Sequence, residues 1–274
     1  MNRALTRPQA NHSITRRRAL RFALAGMAAC LIPQGAHAQA WRSIPLIRDH
    51  VGDAQPAGQD LALGLPLVAE DGSAVPLTIQ SSLKPEGPSI RRLAIFAPGN
   101  PSPEVAEFEF GPDIGALNLA TRIRLSESQT VIAVAHTDDG RVVIAEREVR
   151  VTASGCIAPA QSDGTNDMKT RVRVPKHWEP GTAGEVLTMI THPMITGLAT
   201  DAGGATPPQR IITAFKATLD GKPVITARYH RSLSINPYLR FDMAPRQGGD
   251  MRFEWTEDTG RVAEHRETVH LDRL

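Results

Sequence analysis

Cysteine is all but missing: 274 residues contain two, Cys30 and Cys156. No Cys-x-x-Cys pair occurs, so the common dithiol redox motif has nothing to build on. Aromatic residues make up only 4% of the chain, so its cores must be chiefly aliphatic. A permanent transmembrane helix takes about 20 apolar residues, and the greasiest stretch, Phe22 to Ile32, is far too short. A Gly-rich phosphate loop and a Ser/His/Asp grouping are both lacking, and Asp138, Asp139 and Asp242 follow turn and strand patterns rather than forming a catalytic pair. The usual enzyme signatures are therefore absent.

What is present begins with an address. Thr15-Arg16-Arg17-Arg18-Ala19-Leu20 precedes the apolar run, and Ala36-His37-Ala38 follows it. A basic flank, a short apolar core and a small-x-small site make an export signal over residues 1–38. The arginine pair gives it the twin-arginine form, with Ala19 where that signal usually has phenylalanine. The expected location is the periplasm, with no stable membrane span in the mature chain. Six arginines and no acid lie in 1–38, which leaves 25 basic against 29 acidic residues and a net charge of −4. No lysine/arginine block remains, so nucleic-acid binding loses its electrostatic footprint.

The same cleavage removes Cys30 and leaves Cys156 alone. An exported protein usually pairs its cysteines or avoids them, and an odd one is a reactive thiol or an intermolecular link. A buried, inert thiol is the plain alternative. The surroundings favour exposure: Ala153-Ser154-Gly155-Cys156 is small and flexible, and Pro159 with Gln161-Ser162-Asp163-Gly164-Thr165-Asn166-Asp167 follows.

On either side the pattern has a period of two. Ile44, Leu46, Ile47 and Val51 can line a short helix before Gly52. Leu61 to Val68 and Val75 to Ile79 read as a hairpin across Glu70-Asp71-Gly72-Ser73. Glu107 and Glu109 alternate with Phe108 and Phe110, and Asp138-Asp139-Gly140 turns a further pair. After residue 169, strands are expected at Gly184 to Ile190, Ile211 to Leu219, Val224 to Tyr229 and Met251 to Trp255, with turns at Asp220-Gly221 and Asp258-Thr259-Gly260. The expected fold is all-β: two immunoglobulin-like β-sandwich domains joined by a short cysteine-bearing linker. The expected boundaries are 1–38 for the signal, 39–152 for the first sandwich, 153–168 for the linker and 169–274 for the second.

Several stretches resemble a known family. Ala69-Glu70-Asp71-Gly72-Ser73-Ala74-Val75-Pro76-Leu77, Asn100-Pro101-Ser102-Pro103 and the strand leading into Gly155-Cys156 resemble SoxY. Thr191-His192-Pro193-Met194-Ile195-Thr196-Gly197-Leu198, Asn236-Pro237-Tyr238-Leu239 and Phe253-Glu254-Trp255 resemble SoxZ. The order in one chain resembles the fused SoxYZ-like carriers associated with quinoprotein dehydrogenases. The resemblance implies a SoxY-like domain contacting a SoxZ-like domain, and a non-enzymatic carrier whose Cys156 bears a sulfur-containing intermediate. Its implied partners are Sox-type enzymes or a quinoprotein dehydrogenase with its cytochrome. Ser154 and Ile157 stand where the SoxY arm, Gly-Gly-Cys-Gly, has glycines, and that arm is a free C-terminus whereas this one is internal.

The site residues expected are thus Cys156 for covalent attachment and Ser154 and Gly155 for flexibility, with no cofactor and no metal. A carrier thiol acts as thiolate, and the basic residues nearest in sequence, Arg147 and Arg150, belong to the incoming strand. Two other readings remain. One is an accessory module that docks to a dehydrogenase or its cytochrome without cargo. The other is copper delivery through His192, Met194 and Met189, since imidazole and thioether suit that metal.

Overall fold

The two-residue periods become strands, and those strands belong to two sheets that both halves of the chain share. The computed structural model describes residues 40–56, 59–84, 87–154, 167–200 and 203–272. The expected export signal, Gly155 and Cys156 lie outside these residues. In the first half run β1 (Leu61–Gly64), β2 (Val68–Ala69), β3 (Val75–Ser81), β4 (Ile90–Phe96), β5 (Glu104–Phe110), β6 (Asn118–Ile123), β7 (Gln129–Thr137) and β8 (Val142–Val151). In the second run β9 (Thr170–Arg173), β10 (Gly184–Ile190), β11 (Ile212–Leu219), β12 (Lys222–Tyr229), β13 (Tyr238–Met243), β14 (Gly249–Glu257) and β15 (Val262–Val269).

One sheet has the order β1-β3-β6-β13-β10-β9 and the other β15-β14-β11-β12-β5-β4-β7-β8-β2. The second half thus supplies three strands to one sheet and four to the other, the partition of a constant-type immunoglobulin sandwich. Each sheet crosses from one half to the other through a backbone ladder. Leu119, Ala120 and Thr121 of β6 pair with Phe241, Arg240 and Leu239 of β13. Ala106 to Phe110 of β5 pair with Tyr229 to Ile225 of β12. One hydrophobic cluster runs beneath both, taking in Leu77, Ile95 and Phe108 from the first half and Phe215, Phe241 and Trp255 from the second. The internal contact between the halves is therefore a shared core and two continuous sheets.

The hairpin expected over 61–79 forms only in part. β1 pairs with β3, but Val68 and Ala69 leave for the other sheet and lie parallel to Arg150 and Val151 of β8. Pro66, which has no amide hydrogen to give a ladder, stands in the break. The short helix α1 (Pro45–Val51) is present, with proline at its start and Gly52 at φ 62° closing it. Its Ile47 and Val51 are buried with Trp41 against Phe96, Ile132 and Val134 on the outer face of the nine-stranded sheet. Burial of that kind contributes about 1.5–3 kcal/mol per side chain.

The seam ends at Gly111, whose N–H donates to the Val224 carbonyl at 2.8 Å. A Cβ there would run into the Pro223 carbonyl oxygen, which is backbone and cannot swing away. Gly111→Ala is expected to cost about 1–3 kcal/mol, read as a lower urea midpoint. An unchanged midpoint would mean that the two strands do not approach this closely.

Candidate functional site

The cysteine segment is pinned on both sides. At its start, β8 delivers Arg150 and Val151 to β2, and the Thr152 N–H donates to the Ala69 carbonyl at 3.0 Å. The Thr152 hydroxyl donates to the Glu70 carbonyl at 2.9 Å. The Gly72 N–H then donates to the Ala153 carbonyl at 2.8 Å. The turn making this last contact is held by Asp71, which accepts from the Ser73 N–H and hydroxyl at 2.7 and 2.8 Å. Those two bonds keep the Asp71 carboxyl below the usual carboxylate range. Thr152, Ala153 and Ser154 are exposed. Ser154 is the last described residue before the cysteine. Arg147 and Arg150 are exposed to solvent on β8.

On the far side of the cysteine segment, Asp167 is bound to Arg210 at 2.8 Å and Arg261 at 3.4 Å. The Met168 N–H donates to the Thr191 carbonyl at 2.8 Å. The same two arginines also face Glu257, at 3.9 and 3.5 Å. Glu257 is fully buried and accepts from the Thr259 hydroxyl and from His192 Nε2 at 2.9 Å. His192 Nδ1 accepts from the Met194 N–H at 3.1 Å, so the ring proton sits on Nε2.

Burial holds the His192 pKa below its ordinary value, although Glu257 pulls the other way. Burial pushes Glu257 up, but its bonds from Thr259 and His192 and the charge of Arg261 more than offset this, leaving it below the carboxylate norm. The pair is thus a neutral imidazole donating to a carboxylate. Each shift means the unfolded chain binds more protons, so stability rises with pH. The urea midpoint is expected to fall as pH drops below about 6.5, where unfolded His192 takes up a proton, and again below about 4.5, where carboxylates do. A midpoint that stays flat or rises on acidification would contradict the assignment.

This geometry removes the copper reading of His192. Both of its nitrogens are engaged, and the Met194 sulfur accepts the Ile212 N–H at 3.2 Å. Sequence reasoning offered His192 only as a copper ligand and missed its partner, 65 residues away. The conspicuous Thr-His-Pro-Met string was the available signal. Trp178 is buried, with its Nε1–H donating to the Thr182 carbonyl at 2.8 Å.

Fold and site together define an all-β protein of two immunoglobulin-like halves, with a short segment pinned between them. Comparison with known families matches residues 47–156 to sulfur oxidation protein SoxY and residues 172–268 to sulphur oxidation protein SoxZ. The chain is a fused SoxYZ-like protein, and its two domains are those of sulfur-oxidation proteins of the carrier type. Among solved structures, the sulfur carrier protein SoxY from Chlorobium limicola f thiosulfatophilum is similar at 28% identity. That match covers 39% of this chain and 93% of that one, with a TM-score of 0.33. Superoxide reductase (neelaredoxin) from Ignicoccus hospitalis is similar at 15% identity, over 33% of this chain and 78% of that one, with a TM-score of 0.30. No curated protein sequence matches. Among the described residues no helix is long and apolar enough to cross a membrane.

Proposed function

We propose that this chain is a periplasmic, non-enzymatic carrier that presents the Cys156 thiol for covalent attachment of a sulfur-containing intermediate. The observation that carries this reading is the position of Cys156. It is the last residue of the SoxY match, and the SoxZ match begins only at residue 172. The root of the segment supports it, because Thr152, Ala153 and Ser154 stand in solvent where the chain leaves the clip at Ala153.

The tether sets what partners can do. Cys156 follows the Ala153 anchor by three residues, and an extended chain covers at most about 3.6 Å per residue, so its Cα ranges no further than about 11 Å from that clip, with only the short side chain beyond. A partner must therefore bring a shallow site to this end of the sheet. The partner class is a periplasmic redox enzyme, either of Sox type or a quinoprotein dehydrogenase with its cytochrome. Joining the thiol to a thiolate-level sulfur anion forms an S–S bond and releases the thiol proton together with two electrons, which the redox partner accepts. The exported protein arises by twin-arginine cleavage after residue 38, and Ser154 and Gly155 give the arm its freedom.

The test is the intact mass of the mature protein taken from its native cells, with and without reductant. A reducible mass increment on the peptide containing Cys156 is expected. A bare, alkylation-resistant thiol would replace this reading with that of an accessory module.

A further inference from the structure

The sequence spacing of the histidines gave no ligand set for a metal, yet the fold brings one histidine to two glutamates at the seam between the halves. His230, just beyond β12, faces Glu104 and Glu107 of β5, and the three donor atoms lie within 4.8 Å of one another. Residues three apart on a regular strand point to opposite faces. Here the β4–β5 register slips by one between Ile95 and Phe96, so Val105 is an extra residue. Val105 and Ala106 are consequently both buried, and Glu104 emerges on the same side as Glu107. The His230 backbone N–H donates to the carbonyl of that bulged Val105 at 3.1 Å, which fixes the backbone from which the imidazole projects beside the re-aimed carboxylate.

The distances assign roles. His230 Nε2 lies 3.3 Å from Glu107 Oε1, a hydrogen bond that places the ring proton on Nε2. Nδ1 then offers its lone pair toward Glu104 Oε2, 3.9 Å away. Two acceptors facing each other at that distance have no hydrogen bond to make. Two donors bound to one tetrahedral ion at about 2.1 Å each stand about 3.4 Å apart, so a slight turn of the partly exposed Glu104 closes the gap. Glu107, held by Arg228, orients the imidazole as carboxylates behind metal-bound histidines do. The site opens beside a 510 Å³ groove that Glu107 and Arg228 line.

The geometry points to a divalent transition-metal site at this seam, with His230 and Glu104 as ligands, Glu107 orienting the ring, and water completing the shell. Imidazole with carboxylate suits zinc or copper(II) rather than calcium. Because the ligands come from opposite halves, the bound ion staples the β5–β12 ladder, and metal raises the unfolding temperature.

The experiment uses the full mature chain, untagged, stripped with chelator and alkylated at its thiol so that sulfur does not compete. Zinc chloride is titrated by calorimetry, and unfolding is followed with and without zinc. One equivalent is expected to bind, with a higher melting temperature. His230→Gln and Glu104→Gln should each weaken binding at least tenfold and abolish the thermal shift. Glu107 is left intact, since removing it also strands Arg228. Circular dichroism checks that the variants fold. Absence of zinc binding to the wild type, or equal binding by the folded variants, overturns the proposal. Neither result bears on the Cys156 adduct.

Discussion

A chain carrying Glu257→Leu should be destabilised by about 1–3 kcal/mol, the usual cost of leaving a buried hydrogen-bonding group unpaired. The carboxylate is fully buried and is the only acceptor for His192 Nε2 among the described bonds, at 2.9 Å. Leucine would leave that N–H without an acceptor in an interior where an unmade hydrogen bond costs about 1–3 kcal/mol. It would also leave Arg210 and Arg261 with Asp167 as the remaining carboxylate between them. Glu257→Gln, which keeps shape and an acceptor oxygen, should cost clearly less. Urea unfolding of the three proteins at pH 7 checks the ranking. Equal midpoints for the leucine and glutamine variants would mean that an acceptor oxygen at this position does nothing for the fold. The effect bears on function because Asp167, clamped by the same two arginines, is where the cysteine segment rejoins the second half.

The second large effect is expected from Cys156→Ser, which should eliminate carrier function entirely while changing the unfolding free energy by less than about 0.5 kcal/mol. A hydroxyl is not ionised near neutral pH, whereas a thiol with an ordinary pKa of about 8.5 supplies a usable fraction of thiolate. The segment's folded supports are backbone bonds at Thr152, Ala153 and Met168 and the Asp167 ion pairs, none of which involves the sulfur. Complementation of a deletion strain, scored by substrate oxidation, gives the readout, with the purified variant's melting curve as the control. Full activity from a correctly folded serine variant would end the covalent-carrier proposal and leave a docking module.

The locally encoded features were legible. Turns at Gly140, Gly221 and Gly260 fall where the sequence places them, each with φ between 77° and 88°. The alternation of Glu107, Phe108, Glu109 and Phe110 likewise predicts which side of β5 faces the core. The short helix was visible from Ile47, Val51 and Gly52. The departure of Val68 and Ala69 to the other sheet was not, because a parallel pairing with residues 150 and 151 leaves no mark in either segment.

By itself the sequence determined the fold class and the presence of a SoxY-like and a SoxZ-like part in one chain, and it is the source of the proposal that Cys156 is the carrier thiol. Periodicity, turn chemistry and composition act over a few residues, so one chain read in order reveals them. Only the tertiary structure decided that the halves share both sheets, that His192 is saturated by Glu257, and that a one-residue slip aims Glu104 at His230. Each of these depends on which distant backbone a strand chooses as neighbour. Ladder hydrogen bonds are made by peptide groups, which are alike at nearly every residue, so side-chain identity does not encode that choice locally.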